Sequence, residues 1–146
     1  MKFSTRARYG TRVLLELALH WGEGPMLLRD ISKRQQIPLP YLQQFIGRLV
    51  KAGIITTTRG ARGGIMLCKP PKEIILSEVI TLLEGSIAPV ACVDTPAVYP
   101  RSGTCVTHDI WAEVKKAVDG VLESTSFEDL VERQKTKGVS KHMKKR

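Results

Sequence analysis

The sequence predicts a mainly α-helical protein with one small β-hairpin, and three observations support this fold class. Three apolar-periodic segments, separated by Gly and Pro residues, precede Gly53. Two short runs of β-type residues joined by a glycine-rich link come next, and a long helical pattern with an apolar stripe lies at 107–122. A chain of 146 residues suits one compact domain or a small domain with an appended dimerisation element.

The first three helices are predicted from apolar residues that recur at helical spacing. Ser4 or Thr5 can cap a helix that runs to about Trp21. A short second helix is predicted at 26–36. A third is predicted at 40–52, with Pro40 in its first turn, where no amide hydrogen is needed. The side chains expected to face the core are those of Val13, Leu14, Leu17, Ala18, Leu28, Ile31, Leu42, Phe45, Ile46 and Leu49.

A β-hairpin is predicted directly after the third helix. The runs Ile54–Thr58 and Ile65–Lys69 flank the link Arg59–Gly64, whose glycines permit a tight turn and whose tip carries arginines. Three helices followed by a basic hairpin is the element order of a winged helix-turn-helix. In that fold the third helix can enter the major groove, and the hairpin, or wing, can reach the minor groove or phosphates. Residues 1–69 are therefore predicted to form a DNA-binding domain.

The charge distribution supports a polyanion partner for this first domain. Residues 1–69 contain twelve Lys or Arg and three Asp or Glu, a net charge of +9. Residues 70–132 carry −7, and residues 133–146 carry +7. A uniformly solvated surface would mix the two signs, whereas a basic front half is typical of a nucleic-acid footprint.

Residues 70–133 are predicted to hold a sensor loop and dimerisation helices. A short amphipathic helix at 77–84 leads into a loop at 85–104 that is long for a compact protein. The following helix, at 107–122, cannot bury its apolar stripe by itself, so packing against a second copy predicts a two-fold homodimer. The stripe consists of Ile110, Trp111, Val114, Val118 and Val121.

The chain is expected to end in a short helix and a basic tail. Ser126 can cap a last helix that runs to Arg133, and residues 134–146 are expected to be disordered. Cys68, among apolar neighbours in the second strand of the hairpin, is interpreted as a core residue.

Several classes of protein are disfavoured by the sequence. The first ten residues are polar and basic, unlike a signal peptide, and charges interrupt every long apolar stretch, so we expect a cytoplasmic protein without a membrane span. The sequence contains no catalytic triad order, HExxH motif or phosphate-binding loop, which argues against an enzyme. Three cysteines without a signal peptide argue against a disulfide framework.

Four stretches of the chain resemble a known family. They are the N-terminus at 1–10 (MKFSTRARYG), the segment at 37–53 with Pro38, Tyr41 and Arg48, the wing link RGARGG at 59–64, and the sequence CVTHDIW at 105–111. Together they resemble the iron–sulfur cluster regulator family, which includes the nitric-oxide-sensing repressor and the cysteine-metabolism repressor. The resemblance covers residues 1 to about 133.

The resemblance implies a dimeric, sequence-specific winged helix-turn-helix regulator of bacterial promoters, and we expect it to act as a repressor on a double-stranded DNA operator. Members of the family often have Ser at the positions of Pro38 and Pro40 and Glu at that of Gln43. The family's operator sequence therefore does not carry over. The residues expected at the DNA are Leu39, Pro40, Tyr41, Gln43, Gln44, Arg48, Arg59, Gly60 and Arg62.

The resemblance also implies an iron–sulfur cluster, of the [2Fe–2S] type, in the loop from Cys92 to His108. Cluster-binding relatives present three cysteines there, and this chain keeps Cys92 and Cys105, with Tyr99 at the place of the middle cysteine. His108 resembles the fourth ligand of one branch of the family, and imidazole can replace thiolate in two-iron clusters. Cys92, Cys105 and His108 are thus the candidate metal ligands.

The incomplete cysteine set leaves alternatives open. A fourth ligand could be Asp94, Asp109, Tyr99 or a residue of the partner subunit, although position 8, where some relatives supply a carboxylate, is Arg8. The chain could instead be a cluster-free regulator of the same fold, controlled by a partner protein or a metabolite. Other metal or thiol chemistry at the two cysteines is the third possibility.

Overall fold

The computed structural model describes residues 2–60, 63–89, 91–94 and 103–144, and it describes only the backbone for Cys92 and for residues 139–144. Seven helices and one two-stranded antiparallel sheet lie in these ranges, with a 3₁₀ turn at Pro71–Glu73. The helices are α1 (Thr5–Leu19), α2 (Leu28–Gln35), α3 (Leu39–Lys51), α4 (Leu76–Glu84), α5 (Ala91–Asp94), α6 (Val106–Glu123) and α7 (Phe127–Lys144); the strands are β1 (Ile55–Thr58) and β2 (Gly64–Leu67).

The predicted winged-helix order of three helices and a hairpin is confirmed, and so is most of its predicted core. Ser4 caps α1 by accepting a hydrogen bond from the amide of Ala7. Pro40 lies in the first turn of α3, as its missing amide hydrogen allows. Nine of the ten side chains expected in the core are buried, and Leu28 packs half-buried against them. The helical period of the apolar residues was therefore a reliable guide to these three helices.

The hairpin gains a third chain segment that its own sequence does not reveal. β1 and β2 pair from Ile55 opposite Leu67 to Thr58 opposite Gly64. Met26, just before α2, then pairs with Ile65 through two backbone hydrogen bonds of 2.8 Å. A Cβ atom at Gly64 would lie 2.2 Å from the carbonyl oxygen of Met26, so this pairing requires glycine. The contact fixes the wing to the start of α2.

A buried carboxylate joins α1 to α2. Glu16 is 6% exposed, and its carboxylate accepts a hydrogen bond of 2.9 Å from the side-chain amide of Gln35. Arg34 donates to the same carboxylate at 3.3 Å. Arg12 donates to the side chain and to the backbone carbonyl of Gln35. Because its carboxylate oxygens accept these hydrogen bonds, Glu16 can be buried without leaving a polar group unsatisfied.

The second half of the chain shares the core of the first. Leu76 donates its amide to the carbonyl of Thr125, and Phe127 donates to that of Ile74, so the turn between α6 and α7 is hydrogen-bonded to the start of α4. Phe127 is fully buried in the same apolar cluster as Leu14 of α1. The core is thus continuous across the predicted domain boundary at residue 69.

Three features differ from the expectations. The helix capped by Ser126 continues to Lys144 instead of giving way to disorder at 134; helix-favouring Lys and Gln residues follow Arg133, and no proline interrupts them. The loop at 85–104 contains the short helix α5. Cys68 is exposed rather than buried, because it follows the buried Leu67 and successive residues of an extended chain face opposite sides. No helix in the described ranges is long and apolar enough to span a membrane.

Candidate nucleic-acid interface and sensor loop

The recognition helix α3 presents a polar face opposite its buried one. Leu42, Phe45 and Leu49 anchor it in the core. Of the residues expected at the DNA, Leu39 is half-buried, and the exposed ones on this helix are Pro40, Tyr41, Gln43, Gln44 and Arg48. The sequence between Asp30 and Glu73 contains no acidic residue, so no carboxylate on α3 or the wing opposes a polyanion.

The wing lies next to the N-terminal part of α3. Arg59 and Gly60 are exposed directly after β1, and Arg62 lies outside the described residues. An open cleft of about 540 Å³ separates the helix from the hairpin, and Leu39, Gln43 and Gly60 all line it. The structure therefore brings Leu39 and Gln43 of α3 and Gly60 of the wing to one cleft.

Sequence reasoning did not identify the contribution of α1 to this surface. The ring of Tyr9 packs edge-to-face against that of Tyr41, with centroids 6.2 Å apart and an interplanar angle of 76°. The guanidinium of Arg12 lies 5.7 Å from the centroid of the Tyr9 ring. A signal was available, because Thr5, Arg8, Tyr9 and Arg12 recur at helical spacing, but only the packing of α1 on α3 gives that polar stripe a location.

The predicted sensor loop ends at the N-terminus of α6. Cys105 immediately precedes this helix, and its Sγ atom lies 3.0 Å from Oγ1 of Thr107. The Thr107 hydroxyl, followed by the backbone amide of His108, lowers the pKa of the Cys105 thiol because both favour the thiolate. A partly exposed thiol with a lowered pKa has the reactivity of a metal ligand or a redox site.

The other candidate ligands flank Cys105 on two helices. His108 lies half-buried in the first turn of α6. Cys92 belongs to α5, which packs against α6; the thiol of Cys92 and all of Tyr99 lie outside the described part of the structure. The side chains that are described include no group of three His, Cys, Asp or Glu residues placed to hold a metal ion.

The predicted dimerisation stripe is exposed in the protomer. Ile110, Trp111, Val114 and Val121 are 48%, 41%, 37% and 63% exposed, while Val118 is half-buried against the core. A different side of α6 packs on α4. A row of large apolar side chains left in water marks an interaction surface.

Comparisons with known proteins agree with this architecture. The model of the Rrf2 family, described as an iron-dependent transcriptional regulator, matches residues 3–133. The protein rrf2 of Nitratidesulfovibrio vulgaris is 42% identical over 131 residues, 90% of this chain and 87% of that protein. The HTH-type transcriptional regulator IscR of Photorhabdus laumondii is 36% identical over 96% of this chain and 85% of its own length.

A solved structure of a named regulator also has this fold. The chain is similar to CymR (YrzC), the global cysteine regulator of B. subtilis, with a TM-score of 0.78 and 36% identity over 91% of this chain and 98% of that one. The winged-helix fold class predicted from the sequence is thereby confirmed, and relatives named as transcriptional regulators confirm a regulator rather than an enzyme.

Proposed function

The chain belongs to the Rrf2 family and is a DNA-binding transcriptional regulator, and we propose that it acts as a homodimer whose affinity for its operator is modulated by a [2Fe–2S] cluster in the Cys92–His108 loop. The observation that carries the proposal is the location of Cys105 and His108 at the start of α6, the helix that also bears the exposed apolar stripe. Sensing and dimerisation would thus use the same helix.

The proposed DNA interface is the surface formed by α3 and the wing. Tyr41, Gln44 and Arg48 face outward on α3, and Arg59 is exposed on the neighbouring wing. The absence of acidic residues from Ile31 to Lys72 favours close approach of phosphates. An α-helix is narrow enough to enter the major groove of DNA. The wing would then reach the adjacent minor groove or the phosphate backbone.

The homodimer is proposed to form through α6. Its exposed apolar side chains would be buried against the same side chains of a second copy, as a two-fold interface requires. Two-fold symmetry would present two copies of α3 to half-sites about one helical turn apart, or a multiple of it. Anything that changes the α6–α6 geometry would change the match between protein and operator.

The candidate ligands are of chemical types that bind iron–sulfur clusters. Thiolates bind iron well, and the Thr107 hydroxyl lowers the pKa of the Cys105 thiol. His108 offers an imidazole, and Cys92 lies on the helix that packs against α6. Asp94, Asp109, Tyr99 or the partner subunit would complete the set. A bound cluster would supply a group that gains or loses an electron, or is itself lost, in response to redox conditions.

The chain's own residues would transmit the state of the loop. Cys105 and His108 lie in or next to the first turn of α6, so a ligand that holds them restrains this end of the helix. α6 packs on α4, and α4 packs on α1 and α3. A ligand acts only through its different affinities for two arrangements, so the loop must prefer one α6 geometry when it is occupied.

A cluster-free regulator is the second candidate, favoured by Tyr99 at the place of the middle cysteine. In that case a partner protein or a metabolite would act on the same loop and helix. The half-buried thiol of Cys105 would then serve another purpose or none.

Anaerobic reconstitution with iron and sulfide separates the two candidates. Wild type and the variants Cys92→Ala, Cys105→Ala and His108→Ala are compared by visible absorption, by iron and sulfide content, and by affinity for a duplex that the wild type has selected from a random-sequence library. We expect wild type to gain absorbance and change its DNA affinity, and both cysteine variants to lose both effects. Cys68→Ala, which removes an exposed thiol outside the loop, is the matched control and should behave as wild type. Iron uptake without a change in DNA affinity, or no uptake, would favour the second candidate.

A further inference from the structure

A polar groove runs between the N-terminal half of α1 and the recognition helix α3. Thr5, Arg8, Tyr9 and Arg12 are spaced so that all four lie on one face of α1, and three of them are exposed while Tyr9 is half-buried. The groove has a volume of about 330 Å³. Its α1 side lies outside the surface of α3 and wing residues described above, whereas Tyr41 and Gln44 belong to both.

The contact between Tyr9 and Tyr41 sets the location of this groove. Tyr41 belongs to the exposed face of α3 and is 48% exposed, and the edge-to-face contact holds Tyr9 against it. The guanidinium of Arg12 lies 5.7 Å from the centroid of the Tyr9 ring. It also donates a hydrogen bond to the side chain of Gln35 at the end of α2. The polar stripe of α1 is therefore held beside the residues of α3 that face DNA in the proposed complex.

The chemistry of the groove suits a phosphate. Its polar lining consists of hydroxyl, amide and guanidinium groups, and no carboxylate lines it among the described residues; the polar lining residues are Ser4, Thr5, Arg6, Tyr9, Tyr41 and Gln44. The nearby carboxylate of Glu84 is engaged by the backbone amide of Ser4 at 2.9 Å. Arg6 is anchored by a 2.8 Å bond from Nε to the carbonyl of Leu83.

Arg8 is an exposed cation beside this groove, in contact with Thr5 of its lining. One of its terminal nitrogens lies 3.4 Å from the hydroxyl of Thr5, one helical turn earlier, which holds the side chain along the stripe. A guanidinium has five N–H donors, so this single contact leaves donors for a phosphate.

We propose that the α1–α3 groove binds a phosphate of the operator backbone, with Arg8 as the principal cation and the hydroxyls of Thr5, Tyr9 and Tyr41 as further donors. Such contacts position a protein on the duplex and carry no sequence information. Because Tyr9 contacts Tyr41, a phosphate held here would set the entry angle of α3. The inference rests on the operator binding proposed above and adds a contact surface on a different helix.

The salt dependence of DNA binding tests the proposal. Affinities of wild type, Arg8→Gln and Arg8→Lys are measured by fluorescence anisotropy over a series of salt concentrations, on the selected duplex and on a scrambled duplex. Removing one phosphate contact should flatten the slope of log affinity against log salt by about 1 and weaken binding by about eightfold at 0.1 M salt, equally on both duplexes. Arg8→Lys keeps the charge and should retain the wild-type slope.

Lys72→Gln is the matched control, because it removes one exposed positive charge from the 3₁₀ turn, away from the groove. Its slope should equal that of wild type. The proposal is overturned if Arg8→Gln has the wild-type slope, if Lys72→Gln flattens the slope as much, or if Arg8→Gln weakens only the selected duplex, as a base contact would. These results would leave operator binding by wild type intact, whereas a wild type that binds neither duplex would contradict the proposed function as well.

Discussion

The thiol of Cys105 and the hydroxyl of Thr107 lie 3.0 Å apart at the first turn of α6. The contact is local, two residues along the chain, and it depends on the helix beginning at Val106. Because the hydroxyl can donate to a thiolate but gains less from a thiol, it lowers the pKa of Cys105 more than any other neighbour does. The lowered pKa favours the thiolate, which is the form in which Cys105 would bind a cluster.

Removing this hydroxyl should shift the reactivity of Cys105 to higher pH. In a background with Cys68→Ser and Cys92→Ser, the rate of alkylation by iodoacetamide follows the thiolate fraction of Cys105. Thr107→Ala should raise the pKa of Cys105 and therefore move the midpoint of the rate against pH upward, while Thr107→Ser should leave it near that of the parent. An unchanged midpoint in Thr107→Ala would show that the hydroxyl has no effect on the thiolate.

Charges in the apolar stripe of α6 should dissociate the proposed dimer. Ile110 and Val114 are the best positions, because they are exposed in the protomer whereas Val118 also packs on the core. The double variant Ile110→Glu/Val114→Glu should raise the dimer dissociation constant by at least about a hundredfold, since burial of each aliphatic side chain contributes about 1.5–3 kcal/mol. Analytical ultracentrifugation measures the change.

Lys116→Glu provides the control for this variant. Lys116 is exposed and lies six residues after Ile110, on the opposite face of the helix. It should leave the dimer intact. A double variant that remains dimeric at low micromolar concentration would place the interface elsewhere.

Arg59 should contribute to sequence preference rather than to general DNA affinity. It is exposed where the wing approaches α3, and we expect it to reach a minor groove. Arg59→Ala should lose about 1–3 kcal/mol on the selected duplex if the side chain makes a good base contact. Arg59→Lys should keep binding to a scrambled duplex but lose part of the preference, because lysine lacks the planar fork of donors. Equal losses on both duplexes would instead indicate a phosphate contact.

Because the wing pairs closely with Met26, replacing Gly64 should lower the stability of the protein. The φ angle of Gly64 is 153°, and a Cβ atom there would lie 2.2 Å from the Met26 carbonyl oxygen, so Gly64→Ala should destabilise the protein by about 1–3 kcal/mol. Gly120→Ala in α6, where no described atom lies within 4 Å of the added Cβ, should stabilise it by about 0.5–1 kcal/mol. Urea denaturation of both variants measures the free energies of unfolding. Equal stabilities would show that Met26 yields to the added methyl group.

Local sequence determined most of the winged helix-turn-helix. The apolar residues of α1 and α3 recur at helical spacing, and a helix with one apolar face has to bury that face whatever its partner is. Ser4 and Ser126 mark helix starts through hydrogen bonds made within three residues, and Pro40 marks one because it needs no amide hydrogen in the first turn. The β-type runs around the glycine-rich link likewise needed only neighbouring residues to indicate a hairpin.

Tertiary structure decided the features that depend on residues far apart in the chain. Met26 joins the hairpin across 39 residues, Tyr9 meets Tyr41, and the carboxylate of Glu16 finds its partners on α2. The exposure of Cys68 could not be read from its apolar neighbours, because it depends on which side of the strand faces the core. Helical and strand periods specify the faces of single elements. Which faces meet is settled by the packing of the whole chain, and so is the contribution of α1 to the surface around the recognition helix.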